Sequence, residues 1–353
     1  MKVASLFSGA GGLDLGFTQA GFNIVWANEY DSSIWETHRA NFPETHLDTR
    51  SIVKIEPNDI PDVIGMIGGP PCQSWSEAGT QRGIKDARGQ LFLDYVRLLS
   101  EKQPLFFLAE NVSGMLHHKH KQALENILQA FDQANYSVEY RLLNAYDYEV
   151  PQDRKRLIFV GFRKDLGKKF IFPSSIPKKL CLKDAIFDLH TKEVAALEKN
   201  RTNPAMSIAN HEYMIGGFSS IFMSRNRVRM WNEPSFTIQA GGRHAPLHPQ
   251  APKMQYVAKD KFAFAVESEN QYRRLSVREC ARIQTFPDNF IFHYQMVADG
   301  YKMIGNAVPV RFAYHLASAI KAQLEDKKDT YMQLSHSPET LWNAEVVQNV
   351  FWF

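Results

Sequence analysis

Short apolar runs alternate with amphipathic stretches over the first 165 residues of the chain. Runs of strand length lie at residues 3–7, 22–27, 63–67, 105–109 and 157–162. Apolar positions recur with helical spacing at residues 13–20, 32–40, 91–100 and 119–134. Strands that alternate with helices favour a mostly parallel sheet covered on both faces. The pattern therefore predicts an α/β fold.

The alternation stops near residue 173, where prolines and polar connections become frequent. They indicate a second, irregular domain with short strands. Helical spacing returns at residues 277–286 and 307–325, and the last helix is expected to pack on the first domain. The predicted division is a first domain of residues 1–175 plus 290–325, an irregular domain of 176–289, and an extension of unknown role, 326–353.

Composition narrows the class of protein. The net charge of +3 permits a nucleic-acid partner without implying one. No apolar run reaches the roughly eighteen residues that a membrane span needs, so we expect no membrane partner. The three cysteines, Cys72, Cys181 and Cys280, are too widely spaced for a disulfide framework and indicate a reducing compartment, so we expect a cytoplasmic protein. No cysteine and histidine spacing suggests a metal site.

Residues 68–77 read Gly-Gly-Pro-Pro-Cys-Gln-Ser-Trp-Ser-Glu. Pro70 and Pro71 fix their backbone angles, and the glycines before them allow a sharp turn and the close approach of a ligand. Cys72 therefore lies on a stiff loop past the carboxyl end of a predicted strand, where open α/β sheets bind ligands. The alternative role for Cys72 is a small buried core residue.

A glycine-rich turn, Phe7-Ser8-Gly9-Ala10-Gly11-Gly12-Leu13, follows the first predicted strand. Glycines at a strand-to-helix turn let the backbone approach a nucleotide-like ligand. The spacing is not a dinucleotide fingerprint, because Asp14 occupies the place of the third small residue. Glu29 ends the second strand, where an acid commonly bonds ribose hydroxyl groups. A tight turn beside a surface acid is the alternative.

Charged side chains stand at two further strand ends. Glu110 follows the apolar run 105–109, and a partly desolvated carboxyl group there could donate a proton to a ring nitrogen. A helix-capping acid is the alternative. Arg154 and Arg156 stand two residues apart, so an extended chain would point both the same way. They could clamp a carboxylate or an exocyclic oxygen, or form a solvated basic turn.

The order of these motifs is as informative as their residues. Downstream come residues 278–288, Arg-Glu-Cys-Ala-Arg-Ile-Gln-Thr-Phe-Pro-Asp, and residues 305–309, Gly-Asn-Ala-Val-Pro. With Pro-Pro-Cys-Gln-Ser, Glu-Asn-Val and Gln-Asp-Arg-Lys-Arg before them, this series resembles the cytosine-C5 DNA methyltransferase family in its usual motif order. The resemblance covers residues 1–325.

The resemblance implies a Rossmann-like, S-adenosylmethionine-dependent catalytic domain with a small irregular target recognition domain. It implies S-adenosyl-L-methionine as cofactor and double-stranded DNA as partner, with the target cytosine flipped out of the helix. Cys72 matches the family's nucleophile at ring C6, and Glu110 matches the acid that bonds ring N3 and the exocyclic amine. Arg156, with Arg154 beside it, matches the pair that contacts the ring oxygen and steadies the acid.

By the same resemblance, the cofactor contacts fall on Phe7, Gly9, Gly11, Leu13, Glu29, Pro70, Asn306 and Val308. One position departs from the family pattern. The family usually has an acid before an isoleucine, where it bonds the adenine amine, but here Ser51 precedes Ile52. Either Ser51 makes a weaker bond there or the nearby Asp48 substitutes.

The irregular region also resembles bacterial restriction–modification methyltransferases that modify GGCC, in residues 224–234 and 247–252. Arg225, Arg227 and Arg229 alternate, so an extended chain would present them as a comb to the major groove, where arginine bonds guanine O6 and N7. Thr237 and Arg243 are further candidates for DNA contact. In that group, arginines at the places of Arg225, Arg227 and Arg243 bind guanines. Phosphate binding is the alternative.

The chain departs from that group after Arg243, where His244-Ala245-Pro246 replaces the usual Gln-Cys-Gln. The expected site is therefore GGCC or a related palindrome with a central GC. The expected activity is that of a monomeric DNA (cytosine-5-)-methyltransferase in a restriction–modification system, with the cognate endonuclease as a functional rather than a physical partner.

Two alternatives share this fold. A tRNA cytosine-C5 methyltransferase has the same catalytic motifs, and the likeness in the irregular region argues against it. A non-catalytic DNA-binding regulator would not need Cys72, Glu110 and Arg156 intact.

Overall fold

The computed structural model describes residues 1–71 and 87–325 of the chain. Cys72 and the extension 326–353 lie outside the described residues. The chain forms two compact units. Among the described residues, the first draws on the ranges 1–144, 155–174 and 313–325, and the second draws on Ala145–Arg154 and Ser175–Phe312.

A seven-stranded sheet forms the centre of the first unit. Its strands, in spatial order, are β3 (His46–Asp48), β2 (Asn23–Asn28), β1 (Lys2–Leu6), β4 (Gly65–Gly68), β5 (Phe106–Val112), β8 (Lys155–Arg163) and β6 (Tyr136–Asn144). β8 runs antiparallel to both of its neighbours, whereas the other pairs are parallel. The prediction of a mostly parallel α/β sheet is confirmed.

Consecutive phenylalanines of β5 point to opposite faces of the sheet, as neighbours on a strand must. Phe106 stacks on Phe17 at 6.4 Å between ring centroids, and Phe107 stacks on Phe131 at 4.3 Å. Phe17 and Phe131 belong to different helices, so helices cover both faces. The helices of this part of the chain are α1 (Gly12–Gln19), α2 (Trp35–Asn41), α3 (Ala87–Lys102) and α4 (Lys121–Gln133).

Strand register brings the carboxyl ends of three strands to one edge. Leu6 pairs with both Asn28 and Gly68, so the residues that follow β1, β2 and β4 emerge together. β5 continues past Ala109, the partner of Gly68, and β8 enters from the same edge because it is antiparallel. This edge therefore receives both the glycine turn and the proline pair.

The second unit consists of short elements, as predicted. Its strands are β7 (Gln152–Asp153), β9 (Val194–Ala195), β10 (Glu212–Tyr213), β11 (Ser235–Phe236), β12 (Gln255–Ala258) and β13 (Lys261–Ala263), and its helices include α5 (Leu182–Ile186), α6 (Val277–Ile283) and α7 (Val297–Asn306). They pair as β7 with β11, β9 with β10, and β12 with β13.

A buried ion pair supports this unit. Burial alone would raise the pKa of Glu279, but the Arg273 guanidinium, 2.8 Å away, lowers it to about 2.

The final helix is shorter than predicted. The spacing predicts a helix over residues 307–325, but α8 begins at Val310 and ends at Leu324. Proline disfavours helical geometry in the residue before it, and Pro309 separates α8 from α7. The contacts group residues up to Phe312 with the second unit, but compact units are not functional domains, so the assignment of residues 290–325 to a catalytic domain stays a prediction.

Within the described ranges, no helix is long and apolar enough to cross a membrane.

Candidate active site

The turn after β1 is built on left-handed backbone. Phe7, Gly9 and Gly11 have φ values of 53°, 56° and 85°. The backbone N–H of Gly9 donates to Glu29 Oε2 at 2.9 Å, and that of Asp31 donates to Glu29 Oε1 at 2.7 Å. Burial raises the pKa of the Glu29 carboxyl, against the opposing effect of these two hydrogen bonds. Glu29 therefore ties the glycine turn to the end of β2.

This turn has the properties that a cofactor site requires. An added Cβ on Gly9 would meet no atom within 4 Å, so the backbone faces open space. The buried Ser8 Oγ has no hydrogen-bond partner among the described residues. The space at Gly11 is filled instead, since a Cβ there would lie 2.2 Å from the Phe42 ring. An open backbone beside an unsatisfied hydroxyl group and a carboxylate fits a polar, ribose-bearing ligand.

Ser51, which stands where the family usually has an acid, lies near a carboxylate, Asp48, that is already engaged in an ion pair. The Arg50 side chain bonds both oxygens of Asp48, with Nη2 2.5 Å from Oδ2. Burial acts to raise the pKa of Asp48, but the Arg50 hydrogen bonds hold it below its ordinary value. Asp48 is thus engaged by its neighbour, which makes it a poor substitute for the missing acid. Asn28 Nδ2 donates to the carbonyls of Asp48 and Arg50, which fixes this turn.

The proline pair is held by a residue whose role was not predicted. Asn111 Nδ2 donates to the Pro70 carbonyl at 3.1 Å, and Asn111 Oδ1 accepts from the backbone N–H of Val112. Asn111 is buried, at 6% exposure. Its bond joins the end of β5 to the segment that follows β4, directly before Cys72. The asparagine of the Glu-Asn-Val motif could have indicated this role from the sequence, because a side-chain amide near a strand end can both donate and accept hydrogen bonds.

Glu110 and Arg156 form an ion pair at the same edge. Arg156 Nε lies 2.6 Å from Glu110 Oε1, and each side chain is 13% exposed. The second carboxylate oxygen, Oε2, lies 3.3 Å from the position that a Cβ on Gly69 would occupy. A larger residue at 69 would press on the carboxylate. The pair thus presents an oriented acid beside the turn that leads to Cys72.

Arg154 has different surroundings from those predicted. Its guanidinium is 1% exposed and donates to the carbonyls of Ile238, Gly305 and Ala307 at 2.8–3.0 Å. The two-residue rule fails because Arg154 lies between β7 and β8, which belong to different sheets. This bonding favours a structural role within the second unit over the predicted contact with a ring oxygen.

The remaining residues predicted to contact the cofactor lie on different elements. Leu13 is in α1 and is 6% exposed. Asn306 is the exposed last residue of α7, and Val308, in the break before α8, is 7% exposed.

Several predicted DNA-contacting residues meet in one cavity of the second unit. The cavity has a volume of about 170 Å³ and is lined by Asp153, Arg225, Arg227, Phe236, Thr237, Gln239, His244 and Pro246. Arg225 is exposed, whereas Arg227 is 6% exposed and donates to the Phe222 and Ile221 carbonyls. Burial, and then the Arg225 charge, lower the pKa of Arg227. Two neighbouring guanidinium groups favour an electron-rich ligand.

The three arginines do not form the uniform comb that alternation predicts. Arg229 lies over the Phe236 ring at 4.3 Å and pairs with Asp153 and Glu233. Thr237 Oγ1 donates to the Asp153 carbonyl at 2.6 Å. Arg243 is exposed on a 3₁₀ turn, Gly242–His244. Arg225 and Arg243 are thus the more accessible of these side chains.

The chain is similar to known methyltransferases along most of its length. It matches the model of the family described as C-5 cytosine-specific DNA methylase over residues 1–322. It is 58% identical to the Type II methyltransferase M.NgoPII of Neisseria gonorrhoeae, across 92% of this chain and 96% of that protein. It is also 58% identical to the Type II methyltransferase M.MthTI of Methanothermobacter thermautotrophicus, across 92% of this chain and 98% of that protein.

Solved structures show the same fold. A candidate DNA modification methyltransferase encoded within an E. coli prophage superposes with a TM-score of 0.70 at 25% identity, covering 92% of this chain and 99% of that chain. A mutant of Spodoptera frugiperda DNMT2 superposes with a TM-score of 0.65, covering 91% and 99%, and at 18% identity it shows the fold alone.

The sheet and the glycine turn define a Rossmann-like methyltransferase that uses S-adenosyl-L-methionine as methyl donor. The family match narrows that class: the chain belongs to the C-5 cytosine-specific DNA methylase family. It is a DNA cytosine-5-methyltransferase, and DNA is its substrate.

Replacing Asn111 with alanine removes the bond to the Pro70 carbonyl. We expect the rate of methyl transfer to fall by about ten- to a hundredfold, because Pro70 precedes the predicted nucleophile and a small displacement of a reacting group is costly. Duplex affinity should change far less. Single-turnover kinetics and equilibrium binding on one duplex separate the two effects.

Asn126→Ala is the matched control, since Asn126 is exposed on α4 and bonds only Gln122 among the described residues. A rate for Asn111→Ala equal to that of this control would contradict the positioning role, as would a fall in rate matched by an equal fall in folded fraction.

Proposed function

We propose that the enzyme methylates C5 of a cytosine in a short palindromic duplex site, GGCC or a related GC-centred sequence. We further propose that it serves as the modification enzyme of a Type II restriction–modification system. Two relatives at 58% identity carry the Type II name. The proposed site is supported by the likeness of residues 224–234 and 247–252 to enzymes that modify GGCC.

The proposed reaction begins with the Cys72 thiolate. It adds to C6 of a cytosine that has been flipped out of the duplex, since a stacked ring is out of reach. An S–C6 bond forms, and the ring electron pair moves towards C5, which becomes nucleophilic. When bound, S-adenosyl-L-methionine would supply the electrophilic methyl group for C5, with the sulfonium S–CH3 bond breaking and S-adenosyl-L-homocysteine as the leaving group. Once C5 is methylated, a base removes the C5 proton and the Cys72 sulfur departs, which restores the aromatic ring.

The observation that carries this proposal is the pairing of Glu110 with Arg156 beside Gly69, in the segment that precedes Cys72 in the sequence. We propose that Glu110 donates a proton to ring N3 as sulfur adds, and recovers it when sulfur leaves. Arg156 Nε, 2.6 Å from the Glu110 carboxyl, holds that group in one orientation. Arg156 also carries further N–H donors that could bond the ring oxygen.

We propose that the cofactor is held by the glycine turn and the residues aligned with it. Glu29 accepts from the ribose hydroxyl groups, and the open backbone at Gly9 allows close approach. The remaining contacts are assigned to Phe7, Gly11, Leu13, Ser51, Pro70, Asn306 and Val308. Ser51, rather than the engaged Asp48, then faces the adenine amine.

Sequence choice is assigned to the cavity of the second unit. Arg225 is the foremost guanine-binding residue in this proposal, because it is exposed and lines the cavity. Arg227, Arg229, Thr237 and Arg243 are the other proposed DNA contacts, although Arg227 and Arg229 also bond protein groups. We further propose that the enzyme acts as a monomer, with its endonuclease as a functional partner alone.

Cys72→Ala should lower methyl transfer below about a thousandth of the wild-type rate, because no other group would activate C5. Duplex binding should stay within a few-fold of wild type. The measurements are methyl incorporation into duplex DNA and equilibrium binding to the same duplex. Cys181→Ser is the matched control, since a hydroxyl group preserves the bond to Asp184. A Cys72→Ala protein that still methylates DNA would refute the proposed chemistry.

Arg225→Ala should relax sequence choice, since a bidentate arginine–guanine contact contributes about 1–3 kcal/mol of discrimination. The preference for GGCC over single-base variants should fall by roughly tenfold, as measured by methylation of matched duplexes. Arg201→Ala, at an exposed arginine outside the cavity lining, should leave the preference unchanged. Uniform weakening across all sequences would instead identify Arg225 as a phosphate contact.

A further inference from the structure

A two-stranded hairpin of the second unit carries an unusual amount of exposed surface. β12 and β13 pair antiparallel, and every residue of β12 is exposed. Tyr256 is 69% exposed and Val257 is 52% exposed. A two-stranded sheet is marginally stable in water by itself, and clustered exposed apolar side chains mark interaction surfaces. The hairpin therefore has the character of a contact element.

The inner side of the hairpin is fixed to a small hydrophobic core. Phe262 packs against the cluster that contains Phe222 and Val228, and the Tyr256 ring stands edge-on to Phe262 at 5.6 Å between centroids. Residues 222–228 include the two arginines that line the cavity. The hairpin thus packs on the core that holds Phe222 and Val228, the residues that flank the cavity arginines in the chain.

The charge of the hairpin favours a polyanion. Lys259 and Lys261 are exposed and form no ion pair with another described residue, while Lys253 pairs with Glu233 at 3.3 Å. Asp260 is the only acid between residues 253 and 261. A second copy of the chain is disfavoured, because a two-fold interface places a patch against itself and would bring these lysines together.

We propose that Tyr256, Lys259 and Lys261 form a phosphate-binding site that holds the DNA backbone next to the bases bound in the cavity. The proposal rests on the proposed base recognition for its location. Lysine and tyrosine side chains are common donors to phosphate oxygens, and such contacts position the protein without selecting sequence. The hairpin therefore supplies affinity and salt dependence, and the cavity supplies sequence choice.

The test compares wild type with Lys259→Ala/Lys261→Ala in the full chain. Affinity for a duplex of about 30 base pairs is measured between ~50 and ~200 mM salt. The plot of log K against log salt has a negative slope, and each lost phosphate contact makes it shallower by about 0.9. We expect the magnitude of this slope to decrease by about 1–2. The affinity at low salt should fall several-fold, for GGCC duplexes and for unrelated duplexes alike. Tyr256→Phe should weaken both duplexes without altering the slope.

Lys192→Ala/Lys199→Ala is the matched control, since both lysines are exposed in the same unit and the change in net charge is equal. A slope that equals the control's would overturn the proposal. A shift in sequence preference would also overturn it, because the hairpin would then contact bases. The proposal would likewise be overturned if sedimentation showed that wild type is a dimer and that the hairpin variant is a monomer. If wild type showed no preference for GGCC, the proposed site would fail while the salt slope still tested the hairpin.

Discussion

A hydrogen bond from the Asn111 amide to the Pro70 carbonyl ties β5 to the segment that follows β4. Pro70 and Pro71 have no backbone N–H to donate, so this segment depends on an outside donor to fix its position. Asn111 supplies that donor from the neighbouring strand. The residue before it, Glu110, carries the proposed acid, and the residue two after Pro70 is the proposed nucleophile. The end of β5 thus carries the proposed acid and also holds the segment that precedes the proposed nucleophile in the sequence.

The reversed direction of β8 completes this arrangement. A parallel strand at that place in the sheet would enter from the opposite edge. Because β8 is antiparallel to β5, its first residues lie at the edge where the other strands end, and Arg156 reaches Glu110 there. The fold therefore brings an acid, its cationic partner and the proline turn to one edge, from segments far apart in the chain.

The sequence was sufficient for features that depend on local pattern and motif order. The apolar runs located five strands of the sheet, and Glu29 directly follows β2 as predicted, whereas Glu110 lies inside β5, which continues to Val112. β6 was missed, because it contains no long apolar run: polar and apolar residues alternate along most of it, and three of its nine residues are exposed. The surroundings of Arg154 and Arg227 could not be predicted from the sequence for a different reason, and their functional roles stay predictions. Their guanidinium groups bond backbone carbonyls, and for Arg154 those partners lie 84 to 153 residues away. No spacing rule predicts such contacts.

The account turns on a covalent bond between the Cys72 sulfur and ring C6 of the target cytosine. A duplex carrying 5-fluorocytosine at that position tests it directly, because the fluorine cannot leave as the proton does and the sulfur cannot depart. Incubation with the methyl donor followed by peptide mapping locates the bond. The account predicts an irreversible conjugate on the peptide that contains Cys72. A conjugate through Cys181 or Cys280, or none from enzyme that still methylates the unfluorinated duplex, would contradict it.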